Sequence, residues 1–333
     1  MSVMRIIIIC LVILAASFFL TRFDWDRDEH LIDVVVAQFG DFFLYAPLYV
    51  AIDASFMEEQ GLKVRLVSTG GDETTWAAVL GRSAVFGVAD PTFVAIAGDR
   101  GRPGRVVASL VEGVPFWGVT FDEEIPKGAG PDTLQGRTVA TFPAPSTAHS
   151  LQERQFLDQE LTPSIREGAP GALLPMLRAG AADIALELEP TVSQAVRDGG
   201  RVLYSLAEKY PDFAMTGVTV EPATLANNPE LVASFVCALQ LALDYIRMQP
   251  DSAIEILTKR FPEISRDVAE DALGRAVREG VIPETVVTTE QAWRVAVELR
   301  QNQGALSGAG EFDVFVNNDA ASFSKNKCRL PQM

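Results

Sequence analysis

Two stretches about a hundred residues apart follow one plan, and that repetition limits what the chain can fold into. In the first, the apolar run Ala84–Ala89 passes into Asp90-Pro91-Thr92. In the second, Ala182–Leu186 passes into Glu189-Pro190-Thr191. Each is preceded by an amphipathic segment with a glycine near its end, Val79-Leu80-Gly81 and Met176–Gly180. In both, a strand-like run ends, an acid stands where a helix cap belongs, and proline takes the first helical position. Two similar α/β halves, each presenting a helix N-terminus to a cleft, predict a two-lobed binding protein.

The segment from Pro47 to Val67 is a related unit. Leu48, Ala51, Ile52 and Phe56 fall at helical spacing, and Gly61 suits the left-handed cap that ends a helix. Leu62, Val64 and Leu66 then alternate with Lys63 and Arg65 at the period of a strand.

These residues also carry a family resemblance. Pro47–Ile52 followed by Phe56–Val64 resembles the opening of substrate-binding proteins of ABC importers. The branch concerned handles nitrate, sulfonates, taurine or thiamine-pyrimidine precursors. Gly70-Gly71, Phe86–Ala89, Leu134–Ala140 and Leu188-Glu189-Pro190 continue the similarity, which spans about residues 32–320. The resemblance implies a type II periplasmic binding protein fold: two α/β lobes, mostly parallel sheets, helices on both faces. It implies a small-molecule ligand, permease and ATPase partners, no cofactor and no catalysis.

Composition narrows the partners. With 44 acidic against 28 basic residues the net charge is −16, which disfavours nucleic acid, since that surface needs a basic footprint. Arg5 precedes an unbroken apolar run, Ile6–Leu20. As a helix the run would be about 22 Å long, short of the ~30 Å bilayer core, and it fits a secretory signal. Cleavage after Ser17 and retention as an anchor extended through Trp25 both remain open, so the chain is expected in the periplasm or tethered to the outer face of the cytoplasmic membrane. Cys10 lacks the small residues that precede a lipidated cysteine. The three cysteines form no disulfide framework: Cys10 belongs to the targeting segment, Cys237 reads as a small core residue, and Cys328 lies in a polar tail.

The expected organisation is a signal or anchor over 1–20, a spacer over 21–31, and lobe 1 over 32–113 and 217–320. Lobe 2 covers 114–216, and a solvated tail covers 321–333. Gly113-Val114-Pro115 and Phe213–Gly217 read as the two crossings, where a hinge can absorb closure. After Asn228 the chain is nearly all helical, with a short terminal strand at Phe312–Val316.

Ligands of open α/β sheets bind where loops leave the carboxyl ends of strands, which selects five segments. Asp41, Phe42, Phe43 and Tyr45 follow the first strand, where rings could stack on a planar ligand. Gly70, Gly71 and Asp72 form a turn that permits close backbone approach. Asp90 and Thr92 follow the repeated strand, with Asp90 as a helix cap. Ser146, Thr147 and His149 open a lobe 2 helix and offer a polar clamp. Glu187 and Glu189 share one strand end; one is expected to start the next helix and the other, Glu187 or Glu189, to stand at the cleft floor and accept from an amine. Hydroxyls beside helix N-termini favour an oxyanion such as a sulfonate or nitrate. The acids near the inferred mouth, with no Arg or Lys among them, favour an aminopyrimidine-like or other amino-bearing ring.

Two other functions compete with the receptor. A membrane-tethered sensor or partner-binding module would use the same fold with an uncleaved anchor. An enzyme of pyrimidine-precursor synthesis would resemble the fungal synthases, which need a pyridoxal-type lysine, a donor histidine and a Cys-rich loop. Two histidines and no clustered cysteines fit that poorly, and no metal-ligand spacing is present.

Overall fold

Val34, Val36 and Ala37 are buried on β1 (Ile32–Gln38), which lies between two parallel neighbours in the first of two five-stranded sheets. The computed structural model describes residues 31–126, 128–144, 146–169 and 171–330. The targeting segment, Cys10, the spacer before residue 31 and Pro145 lie outside the described residues. Sheet one runs β2 (Leu62–Ser68), β1, β3 (Phe86–Ala89), β10 (Ala214–Val220), β4 (Arg105–Glu112). Sheet two runs β7 (Ser164–Glu167), β6 (Thr138–Thr141), β8 (Ile184–Glu187), β5 (Trp117–Thr120), β9 (Arg201–Ser205).

The two orders are the same pattern. In each sheet three parallel strands are followed by one antiparallel strand, and that strand is the first to arrive from the other lobe. β5 enters sheet two after the first crossing and β10 enters sheet one after the second. The sheets are therefore mostly parallel, with one reversed strand apiece at the position where the chain crosses.

Gly113 sits in the first crossing at φ 63°, and a side chain there would meet the Pro211 carbonyl at 3.3 Å. Both the left-handed conformation and the close approach of the second crossing select glycine.

Sheet one is covered by the helix Pro229–Met248, whose Phe235 stacks on Phe86 of β3 with ring centroids 4.1 Å apart. That helix is long and apolar enough to cross a membrane, but it is two-thirds buried and serves as a core element. The helix Arg266–Arg278 reaches lobe 2. Arg197 pairs with its Asp267 and Asp271 at 2.6 and 2.8 Å, and Glu279 at its end accepts from Trp117 Nε1 and Ser205 Oγ, both at 2.6 Å. The C-terminal helices thus brace both lobes.

Three local expectations are corrected. Cys237 and Cys328 are disulfide-bonded, with Cα atoms 5.5 Å apart, so Cys237 is more than a small core residue. The expected solvated tail is structured as far as it is described: Asp319–Lys327 is a helix packed on Pro229–Met248, and Arg329 binds Asp244 at 2.6 Å. Phe312–Phe315 is a helical turn rather than a strand, because Phe312, Phe315 and Val316 turn inward at i, i+3 and i+4; only Val316 bridges to Val106.

Candidate functional site

A cleft of about 360 Å³ opens between the sheets. The loop after β1 contributes Phe39, Phe42, Leu44 and Tyr45, and the turn after β2 leads to Asp72. Asp90 follows β3. From lobe 2 come Phe142, Pro143, Ala144 and the helix start Ser146-Thr147-Ala148, with Leu188 after β8. The two crossings form the remaining wall through Val111, Pro115, Phe116, Met215 and Thr216. The strand-end loops of both lobes thus meet at one apolar and aromatic chamber, the usual character of a small-molecule pocket.

The rings form two groups. Phe39, Phe42 and Tyr45 make an edge-packed series at 5.4 and 5.6 Å in lobe 1. Phe116 and Phe142 pair at 5.7 Å on the other side. Phe43 does not belong to the wall; it turns inward to pack on Phe261 at 6.0 Å.

Asp72 opens the helix Asp72–Leu80, and its Oδ1 accepts from the Asp90 amide at 2.9 Å. Burial, reinforced by the Asp90 charge, pushes the Asp72 carboxyl up to about 6, against the opposing pull of Arg300. Asp90 accepts from Thr92 N at 2.8 Å and from Thr92 Oγ1 at 2.6 Å, which fixes it at the start of its own helix. Thr92 itself is fully buried and off the wall.

Arg300, from the helix Glu290–Asn302, corrects the expectation that no cation stands near the acids. Its Nη2 pairs with Asp90 and donates to Thr147 Oγ1 at 2.7 Å, so one guanidinium joins the lobes. Gln303, which accepts from Arg300 Nη1 at 3.0 Å, also donates to Ser150 of lobe 2. The sequence does contain a signal for Arg300: it falls in register with Trp293, Ala296 and Val297 on a buried helix face, where an unpaired arginine would be costly.

The lobe 2 clamp is engaged with its own surroundings. Ser146 Oγ accepts from His149 N at 3.2 Å, capping the helix Thr147–Asp158. His149 is buried with Nδ1 3.4 Å from Glu153 and Nε2 3.3 Å from Glu167, away from the cleft wall.

The remaining expected residues stand behind the wall. Asp41 is tied to Gln38 Nε2 at 2.7 Å and to Ser68 Oγ at 3.4 Å. Gly70 (φ 81°) and Gly71 shape the turn that delivers Asp72, and the Gly71 carbonyl accepts from Thr75 Oγ1 at 2.7 Å. Glu187 is buried with Oε1 unpartnered among the described residues, and burial pushes its carboxyl up to about 7. Glu189 accepts from Ser193 N at 3.0 Å and from Arg275 Nε at 2.6 Å. Neither glutamate forms the floor; Leu188 between them does reach the cavity.

YtlA of Bacillus subtilis (strain 168), itself assigned only provisionally as a binding protein, is 21% identical over 305 residues, spanning 89% of this chain and 90% of YtlA. Among solved structures, the periplasmic sulfonate-binding protein SsuA of Methylobacillus flagellatus KT superposes with a TM-score of 0.69 at 16% identity, covering 91% of this chain and 98% of that one. The periplasmic nitrate-binding protein NrtA of Synechocystis PCC 6803 gives 0.64 at 14% identity, covering 89% of each. At these identities the structural likeness establishes the periplasmic binding protein fold. The family model NMT1/THI5 like matches residues 43–253, well over half of the chain, and the protein belongs to that family.

Proposed function

We propose that the protein is the solute receptor of an ABC importer, closing lobe 1 (32–113 and 217–320) and lobe 2 (114–216) on a small nitrogen-bearing organic molecule. The observation that carries this reading is the convergence of strand-end loops from two equivalent sheets on one aromatic-lined cleft. The structural neighbours support it, since they include sulfonate- and nitrate-binding periplasmic proteins and a ligand-binding component of an ABC-type import system from Staphylococcus aureus. The loaded receptor would dock on a membrane permease with its ATPase, and the binding event involves no catalysis.

Export agrees with the Cys237–Cys328 disulfide, because such bonds persist in oxidising compartments rather than the cytosol. The apolar N-terminal run then serves as the signal, cleaved or retained.

A thermal-shift screen across sulfonates, nitrate, amines and aminopyrimidines tests the reading, followed by small-angle scattering of each hit. A true ligand raises the melting temperature and reduces the radius of gyration as the lobes close on it. A screen in which no compound produces either change defeats the receptor reading.

A further inference from the structure

Resting on the receptor reading, we propose that the cleft selects a flat apolar body bearing one protonated amine, with Asp72 as counter-ion and Arg300 holding Asp90 out of that role. The wall contains two ionisable acids, Asp72 and Asp90, and no lysine or arginine. These acids are not equivalent. Asp90 is saturated: one oxygen accepts from Thr92 N and Oγ1, and the other pairs with the buried Arg300. Among the described residues Asp72 receives one backbone hydrogen bond, from Asp90, and makes no ion pair. Among the described residues, Asp72 is therefore the wall carboxylate left without an ion-pair partner, with Arg300 acting on it only across Asp90.

The two lobe 2 hydroxyls each accept a bond from the protein and keep one O–H apiece to donate, so they offer an anion two neutral donors and no charge. Ser146 caps its own helix and Thr147 accepts from Arg300. A sulfonate entering the chamber would stand beside the unpaired Asp72 carboxylate, whereas an ammonium would be paired by it and would meet the faces of several rings. Phe39, Phe42 and Tyr45 on one side, with Phe116 and Phe142 on the other, suit a flat body between them. The groups facing Asp72 are Asp90, Arg300 and Tyr45, whose hydroxyl burial and the Asp72 charge hold in its neutral form. Asp72 gains charge as pH rises through about 6, so capture of a cation strengthens from acidic to neutral pH.

The test uses three probes with one carbon skeleton: phenethylamine, 2-phenylethanol and 2-phenylethanesulfonate, titrated calorimetrically into the full mature chain. At pH 8 the amine should bind at least about tenfold tighter than either of the others, a margin equal to one ordinary charge-assisted contact. Asp72→Asn keeps an oxygen for the Asp90 amide and should bring the amine down to the level of the alcohol. Lowering pH from 8 to 5 should weaken the amine while leaving the alcohol unchanged. An amine that binds no better than the alcohol, or an advantage that survives in Asp72→Asn, overturns the proposal. Tighter binding of the sulfonate or alcohol with lobe closure also overturns it, while leaving the receptor reading intact.

Discussion

Asp90 and Glu189 are counterparts. Each follows the strand at the same place in its sheet, β3 or β8, and each accepts a backbone N–H where the next helix begins, Asp90 from Thr92 just before it and Glu189 from Ser193 in its first turn. Each is also paired with an arginine from the C-terminal helices, Asp90 with Arg300 and Glu189 with Arg275. The repeated acid is thus a structural anion in both lobes, and two helices of the C-terminal region supply the cations, Arg266–Arg278 and Glu290–Asn302.

Removing one side of such a pair strands the other in a buried setting. Arg275→Met should lower unfolding free energy by about 3–5 kcal/mol, read from urea denaturation, because Glu189 is fully buried. Adding Glu189→Gln to that variant should recover most of the loss. A single variant within about 0.5 kcal/mol of the parent would show that the pair carries little of the bracing between lobes.

Two polar arms cross the cleft, Arg300 to Thr147 and Gln303 to Ser150. The combined variant Thr147→Val and Gln303→Ala removes both and leaves the Asp90–Arg300 pair in place. Its unliganded radius of gyration should exceed that of the parent, with a stability change of only about 1–2 kcal/mol. Identical scattering curves would mean that the crossings and the other C-terminal braces set the spacing of the lobes without these two arms.

The disulfide closes a separation of 91 residues between the helix under sheet one and the end of the chain. Reduction, or Cys328→Ser with Cys237→Ser, should cost about 2–4 kcal/mol. Denaturant midpoints that coincide with and without reductant would contradict this.

Burial raises both Glu187 and Glu112 to about 7, the first opposed by backbone hydrogen bonds and the second by Ser109. The folded state therefore holds protons more tightly than the unfolded one. The resulting stability is fully present below about pH 4.5 and is lost as pH rises through about 7. Glu187→Gln should stabilise the chain at pH 8 by on the order of 1–3 kcal/mol and change little at pH 4.5. Equal effects at both pH values would place the penalty elsewhere.

The repeat is legible in the sequence because β3 and β8 are short apolar runs followed by Asp-Pro or Glu-Pro. β3 and β8 are buried at every position, so hydrophobicity alone marks them. β7 is different: all four of its residues are exposed, and Ser164–Glu167 carries no apolar signature. At the site, Phe42, Tyr45, Asp72, Asp90, Ser146 and Thr147 could be anticipated from strand ends. Arg300 could not be placed there by that rule, since it arrives from a helix 210 residues beyond Asp90 in sequence. Phe39, Phe116 and Phe142 were equally hidden, because an aromatic near a strand end can face the core or the cleft. Cys237 and Cys328 illustrate the same difficulty: with Cys10 set aside as part of the signal, two partners remain, but only the packing of the last helix brings them together.

The position of β10 also dictates an order of events during synthesis and secretion. It lies between β3 and β4, so sheet one has a missing inner rail until Val220 has left the ribosome or the export channel. Before then β3 and β4 each present an unpaired edge, the kind of surface that recruits foreign strands. Lobe 1 is the first to be made and the last to be finished, and any nascent chain stalled within lobe 2 carries an open sheet behind it.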